Sequence, residues 1–127
     1  MPSTLNVPAT LFSDLYDLLR EGGGFTFNMR TGRALSGSGF VVANPPGNVV
    51  VKVPTFTPES LTSAIQANAQ LLQRPGYYLG GWRNEDTGIV HLEVSQVFED
   101  RDEAIAEGRA RQEIAIFDLS TLSDIRL

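Results

Sequence analysis

The strongest constraint on the fold is a pair of strand-like segments joined by a short turn. Residues 77–83 and 89–98 are rich in aromatic and β-branched side chains, and the connection at 84–88, Asn-Glu-Asp-Thr-Gly, is typical of a hairpin loop. The second segment alternates apolar with polar side chains: Val90, Leu92 and Val94 against His91, Glu93 and Ser95. We therefore expect a long antiparallel hairpin with one face in the core. The apolar positions change phase at Val97 and Phe98, which predicts a bulge near Gln96.

The remaining patterns predict an α+β fold around this hairpin. Helices are expected at 7–21, from Thr57 and Pro58 to just before Pro75, and from Arg101 onward with Asp100 as the N-cap. Short apolar runs at 25–29, 40–43, 49–53 and 114–117 are typical of strands. The order α-β-β-β-α-β-β-α-β predicts a mainly antiparallel sheet of about five to six strands, with about three helices on one face. We expect one domain over 1–127, with loose ends at 1–6 and 119–127.

The absence of cysteine excludes several classes of chemistry. No disulfide framework, thiol nucleophile or thiolate-ligated metal site is possible. The carboxylates show no spacing typical of a metal site, so neither a metal nor a cofactor is predicted. Residues 1–6 lack the features of a signal peptide, and no apolar run approaches the roughly 18 residues of a membrane helix. We expect a cytoplasmic protein that does not contact the membrane.

Charge is unevenly distributed along the chain. The net charge is −5, but residues 84–127 contain eleven acidic and four basic residues, which gives this part −7. Direct nucleic-acid binding requires a basic surface, so it is not expected. An acidic mimic of nucleic acid is an alternative if the carboxylates of 85–113 form a row on one face.

A glycine-rich segment at 30–39 is the first candidate site. Its backbone N–H groups could hold an anion between Arg30 and Arg33. It lacks the Gly-Lys-Ser/Thr ending of a phosphate-binding loop, and a strand rather than a helix follows it. An ordinary hairpin loop is the simpler interpretation.

His91 and Glu93 are the second candidate. They lie two residues apart and therefore on one face of the predicted strand, where they could form a general-base pair. A small enzyme that combines this pair with an anion clamp at Arg30 and Arg33 is one functional hypothesis. A lone histidine on a strand is more often exposed or structural, and the sequence places no serine in a nucleophile elbow.

Aromatic residues flanking Gly80 and Gly81 are the third candidate. Alternation places Tyr78, Gly80 and Trp82 on one face and Leu79 on the other. The face with Leu79 is the better core candidate, so Tyr78 and Trp82 are expected to meet solvent, a helix layer or a partner. An exposed tryptophan without a partner is uncommon, which favours the helix layer.

Two groups of segments carry a resemblance to known proteins. The first is 24–32 with Ser38-Gly39-Phe40, and the second is 79–82 with Thr87-Gly88, 91–95 and 115–118. Together they resemble small accessory proteins of uncharacterised function carried by actinobacterial phages and mobile elements. The resemblance implies a small protein that acts on a factor of the host or of the element, and it assigns no catalytic residues.

These observations favour a non-enzymatic accessory factor that binds a protein partner, with Arg30, Arg33, Tyr78 and Trp82 as candidate binding residues. Self-association is a further expectation. The apolar segment 49–53 needs cover if it forms a sheet edge, and a homodimer would provide it.

Overall fold

A computed structural model describes residues 10–34 and 37–127 of the chain. In this part of the chain four helices and eight strands follow one another in the order α1 (Leu11–Gly22), β1 (Gly24–Asn28), β2 (Arg33–Ala34), β3 (Phe40–Ala43), β4 (Val51–Val53), α2 (Pro58–Ala67), α3 (Ala69–Leu72), β5 (Tyr77–Arg83), β6 (Val90–Phe98), α4 (Arg101–Ala110), β7 (Ala115–Asp118) and β8 (Ser123–Arg126). The predicted α+β class is confirmed, with somewhat more strands than expected.

All strand pairs of the sheet are antiparallel. Seven strands lie in the order β2-β1-β5-β6-β3-β7-β8, and β4 also pairs with β6. The predicted hairpin β5–β6 forms its centre, with Trp82 opposite His91 and Gly80 opposite Glu93. Strands β3 and β4 lie one after the other along the same edge of β6. In the gap between them, the Asn48 side chain accepts a hydrogen bond from the Val94 N–H.

The four described helices cover one face of the sheet, as predicted. Alternation turns the apolar side chains of β1, β5 and β6 toward α1, α2 and α3, and those of β3 and β7 toward α4. Leu15, Leu72, Leu79 and Leu92 are completely buried in this layer. Because Gly108 has no side chain, α4 packs closely on the sheet at this residue; an added Cβ would lie only 2.8 Å from the Ile116 side chain.

The helix boundaries follow the local signals in the sequence. Gly23 adopts the left-handed conformation (φ 78°) and donates its N–H to the Leu19 carbonyl, which ends α1. Thr57 caps α2 by accepting a hydrogen bond from the Ser60 N–H, and Asp100 caps α4 by accepting one from the Glu103 N–H. The predicted start of the first helix at Val7 lies outside the described residues.

The predicted bulge near Gln96 is wrong. Pairing runs without interruption from Tyr77 opposite Gln96 to Arg83 opposite Val90, and β3 continues the same register. Gln96 occupies a core-facing position because it accepts a hydrogen bond from Arg111, whose guanidinium also donates to the Ala43 carbonyl. A polar pair in the core therefore produced the apparent change of phase.

Three further expectations need correction. Residues 119–127 are not a loose end, because Ser123–Arg126 forms β8, antiparallel to β7. The loop at 30–39 contains β2, which pairs with β1. The helix predicted from Thr57 is divided at Asn68, whose buried side chain donates to the Val49 carbonyl and accepts from the Val49 N–H. The expected loose end at 1–6 lies outside the described residues.

Candidate binding pocket

The second face of the sheet carries the candidate site. The described helices bury their side chains on the other face, so the residues that alternate with the core line an open surface. On β6 these are His91, Glu93 and Ser95, and on β5 they are Tyr78, Gly80 and Trp82. The hairpin thus contributes its apolar side to the core and its mixed side to this surface.

Glycine and small side chains make the open face hollow near its centre. Gly24 lies opposite Trp82, and Gly80 lies between Thr26 and Glu93 in the next row of cross-strand neighbours. A Cβ added to Gly80 would meet only ordinary contacts, the nearest at 3.5 Å from the Glu93 carbonyl oxygen. The missing side chain at Gly80 therefore leaves room above the sheet, whereas a Cβ at Gly24 would lie 3.0 Å from the Gly81 carbonyl oxygen.

This hollow is a pocket of about 570 Å³, within the range of about 300–1,000 Å³ that is usual for ligand sites. Its lining combines the central strands, the end of α1 and the β7–β8 hairpin: Leu18, Gly23, Gly24, Phe25, Thr26, Val41, Gly80, Gly81, Trp82, Glu93, Ser95, Phe117, Leu119 and Leu122. Glu93 is the one ionisable side chain among these residues.

Trp82 lines the pocket and contacts both His91 and Glu93. Its indole stacks on the His91 ring, with ring centroids 4.1 Å apart and planes 10° from parallel, as expected for direct cross-strand neighbours. Its Nε1–H donates to Glu93 Oε1 at 3.1 Å. The side chain remains 40% exposed, because the helix layer lies on the opposite face. The expectation that a helix covers Trp82 is therefore wrong, whereas its placement opposite the core face is confirmed.

Glu93 is a partly buried carboxylate in a largely apolar environment. Burial raises its pKa above the ordinary value for glutamate, and the nearby Glu113 carboxylate raises it further. The hydrogen bond from Trp82 and the positive charge of Lys52 act in the opposite direction. No described residue forms a salt bridge to Glu93, and the neutral Trp82 N–H is its one side-chain hydrogen-bond donor among the described residues.

His91 lies beside Glu93 without pairing with it. Burial against its surroundings lowers the pKa of His91, and Lys52, its neighbour on β4, lowers it further. Both effects favour the neutral form of the imidazole. Among the described residues there is no hydrogen bond between the two side chains, and each contacts Trp82 instead. The two residues share a site, but the arrangement is not that of a preformed general-base pair.

Arg30 and Arg33 lie away from the pocket. They flank the turn after β1, where Asn28 Oδ1 accepts hydrogen bonds from the Arg30 and Thr31 N–H groups, and both arginines are exposed. Asn28 is four residues from Gly24 along β1, or about 13 Å at the usual rise of a strand, and His91 lies in the row of Gly24. The structure therefore does not bring the arginines to His91 and Glu93. Residues 35 and 36 of the loop lie outside the described residues.

Tyr78 shares the open face with Trp82 but is separated from it by Gly80. It lies opposite Ser95, is partly buried and does not line the pocket. Sequence reasoning did not select several lining residues, which lie on β1, β3, β6, β7 and the turn after β7: Thr26, Val41, Ser95, Phe117, Leu119 and Leu122. Alternation within β1 and β6 identifies Thr26 and Ser95, but the neighbours of β3 and β7 depend on long-range pairing.

Other features of the described residues narrow the possible functions. They contain no group of three or more His, Asp or Glu side chains placed to hold a metal ion. None of the described helices is long and apolar enough to cross a membrane. Glu85 and Glu99 lie before and after β6, about 30 Å apart by strand length, whereas Glu107 lies on α4 on the helix side. The acidic residues of 85–113 therefore do not form one row.

Comparison with known proteins adds no assignment: no family model, curated protein or solved structure matches the chain.

Proposed function

We propose that this chain is a non-enzymatic binding protein that engages a protein partner through the open face of its sheet. The observation that carries the proposal is the pocket on that face, bordered by an exposed tryptophan and formed where the strands have glycine instead of side chains. We further propose that the protein is a cytoplasmic accessory factor of a phage or mobile element and that it acts on a host protein, as the sequence resemblance implies.

The rim of the pocket supports a macromolecular partner. Leu18, Trp82 and Leu122 are all large apolar side chains that are 39–74% exposed, and all three line the pocket. Exposed apolar groups that surround a pocket are typical of protein interaction sites, and tryptophan is among the residues most enriched at energetic centres of interfaces. Trp82 is held in place by His91 and Glu93, so little conformational entropy is lost when it is covered.

The enzyme alternative receives less support. It requires His91, Glu93 and the two arginines to converge, and Arg30 lies beyond the far end of β1 from the His91 row. The acidic-mimic alternative requires one row of carboxylates. Acidic residues of 85–113 instead lie at opposite ends of β6 and on α4 in the helix layer.

Affinity capture with matched variants tests the proposal. Wild type, Trp82→Ala and Thr62→Ala are immobilised in equal amounts and exposed to an extract of a GC-rich actinobacterial host; Thr62 is an exposed residue of α2 in the helix layer. We expect proteins retained by wild type and by Thr62→Ala to be reduced by about tenfold or more on Trp82→Ala, as for a central interface residue. Hydrogen-exchange or thermal-melting data confirm that each variant is folded. Equal retention by all three proteins would contradict the proposal.

A further inference from the structure

The charge and the lining of the pocket limit what can occupy it. Glu93 is the one ionisable residue of the lining, and no lysine or arginine approaches it closely enough to form a salt bridge among the described residues. One oxygen, Oε1, accepts the Trp82 N–H, and the other oxygen has no hydrogen-bond donor among the described residues. A charged carboxylate with a single neutral partner gains most from a cation that brings its own hydrogen-bond donors.

The walls around this carboxylate are apolar or aromatic. The Trp82 indole lines the same hollow as Val41 on β3, Phe117 on β7 and Leu119 directly after β7. Such walls suit an aliphatic stem with a charged end, and an indole face also attracts a guanidinium or ammonium group. A neutral apolar ligand would instead leave the Glu93 charge desolvated without compensation.

The wider electrostatic field also favours a basic partner. The chain as a whole carries a net charge of −5. Glu113, whose carboxylate accepts a hydrogen bond from Asn44, lies near enough to raise the pKa of Glu93 and adds negative potential. Lys52 is the opposing group, and it lies beyond His91 in the next strand. A field of this sign steers positively charged surfaces toward the pocket.

We propose that the pocket receives a single arginine or lysine side chain of the protein partner, with its charged end paired to Glu93 and its stem against Trp82. This inference rests on the proposed function, because it names the chemistry of the partner at the same site. Leu18 and Leu122 are exposed apolar residues of the lining, and they support a side chain carried on a larger surface rather than a free amine, since only a larger molecule would cover them.

Titration of three capped peptides, followed by NMR, tests the inference without a known partner. The probes are acetyl-Ala-Arg-Ala-amide, acetyl-Ala-Lys-Ala-amide and the neutral isostere acetyl-Ala-citrulline-Ala-amide. Trp82 is the only tryptophan, so the protein gives a single indole N–H signal from the pocket wall. We expect saturable shifts of this signal and of the Gly80 amide with the two basic peptides, and binding weaker by at least about tenfold for the citrulline peptide.

Variants that each remove one charge show whether peptide affinity depends on an ion pair with Glu93 or on the net charge of the protein. Glu93→Gln keeps an oxygen for the Trp82 hydrogen bond but removes the charge, and we expect it to weaken both basic peptides by about tenfold or more. Glu59→Gln makes the same change on an exposed residue of α2, and we expect less than about a twofold effect. Lys52→Gln removes the opposing charge and should strengthen binding by about twofold or more.

Several results would overturn the inference. These are equal affinity for the arginine and citrulline peptides, unchanged affinity in Glu93→Gln, or no shift with any peptide in folded protein. Free agmatine that binds more tightly than the arginine peptide would identify a small-amine site instead. In each case the proposed function is judged separately, because the Trp82-dependent capture of a partner does not require a basic probe to bind.

Discussion

The covered and open faces of the sheet are built from the same strands, yet they differ in what a change of residue can do. Leu79, Leu92 and Val94 are completely buried on the covered face, where they contact the helices. Their immediate neighbours on the open face are Gly80, Glu93 and Ser95, which surround a hollow. One hairpin therefore supplies stability on one side and a candidate recognition surface on the other, because strand side chains alternate.

Two adjacent glycines show the difference most clearly. An alanine Cβ at Gly81 would lie 2.4 Å from the Phe25 ring in the core, whereas at Gly80 its nearest neighbour would be 3.5 Å away. Gly81 is glycine because the core has no space, and Gly80 leaves space that the fold does not use.

The largest difference in unfolding free energy is expected between a truncation on the covered face and a truncation of the adjacent residue on the open face. Leu92→Ala removes a completely buried side chain and should lower the free energy of unfolding by about 2–5 kcal/mol. His91→Ala, one residue earlier, loses only the stack on Trp82 and should cost about 1 kcal/mol. Urea denaturation measures both. Similar losses for the two variants would show that the open face is also part of the core.

A smaller contrast is expected for the glycine pair. Gly81→Ala forces the buried Phe25 ring to move and should cost about 1–3 kcal/mol. Gly80→Ala meets no such obstacle and should change stability by about 0.5 kcal/mol or less. Thermal melts of the two variants under the same buffer conditions provide the comparison. A large loss for Gly80→Ala would mean that the hollow is filled.

Glu93 should make stability depend on pH in a defined direction. Since its pKa is raised in the folded state, the stabilisation from binding its proton is present below the unfolded-state pKa and is lost as the pH rises through the raised value. Glu93→Gln should therefore melt above wild type at neutral pH, and the difference should disappear at pH values below the ordinary range for glutamate. A variant that melts lower at neutral pH would contradict the assigned burial of this charge.

The smallest expected effect concerns the hydrogen bond from Trp82. Trp82→Phe keeps an aromatic ring against His91 but removes the N–H that stabilises the ionised form of Glu93. The pKa of Glu93 should therefore rise above its wild-type value, which an NMR titration of the side-chain carboxyl carbon detects. A pKa that stays unchanged or falls would show that the hydrogen bond does not form in solution.

Local signals predicted the fold better than they predicted the site. The β5–β6 hairpin and the caps at Thr57 and Asp100 depend on neighbouring residues, so the sequence identifies them. Gln96 was misinterpreted because its partner, Arg111, lies fifteen residues away across the core. The segment 119–127 has few apolar residues at strand spacing, and its pairing with β7 depends on the sheet already present.

For the candidate site, alternation placed His91, Glu93, Tyr78 and Trp82 on one face correctly. It could not show that β3 pairs with β6 and β7 with β3, which brings Val41 and Phe117 to the pocket. Alternation also could not predict that Arg30 lies far from His91, since the distance between them depends on how β1 pairs with β5. Residue identity thus located the two strands of the candidate site, and long-range pairing determined their neighbours.

Filling the pocket without removing any existing contact tests the central claim most directly. Gly80→Val adds a side chain at the centre of the hollow, where a Cβ has space and a β-branched residue suits a strand. Retention of host proteins by this variant is measured beside Thr62→Ala, together with its melting temperature. We expect a folded protein with wild-type stability or better that no longer retains the partner. A folded Gly80→Val protein that retains the partner as wild type does would contradict the assignment of the open face as the binding surface.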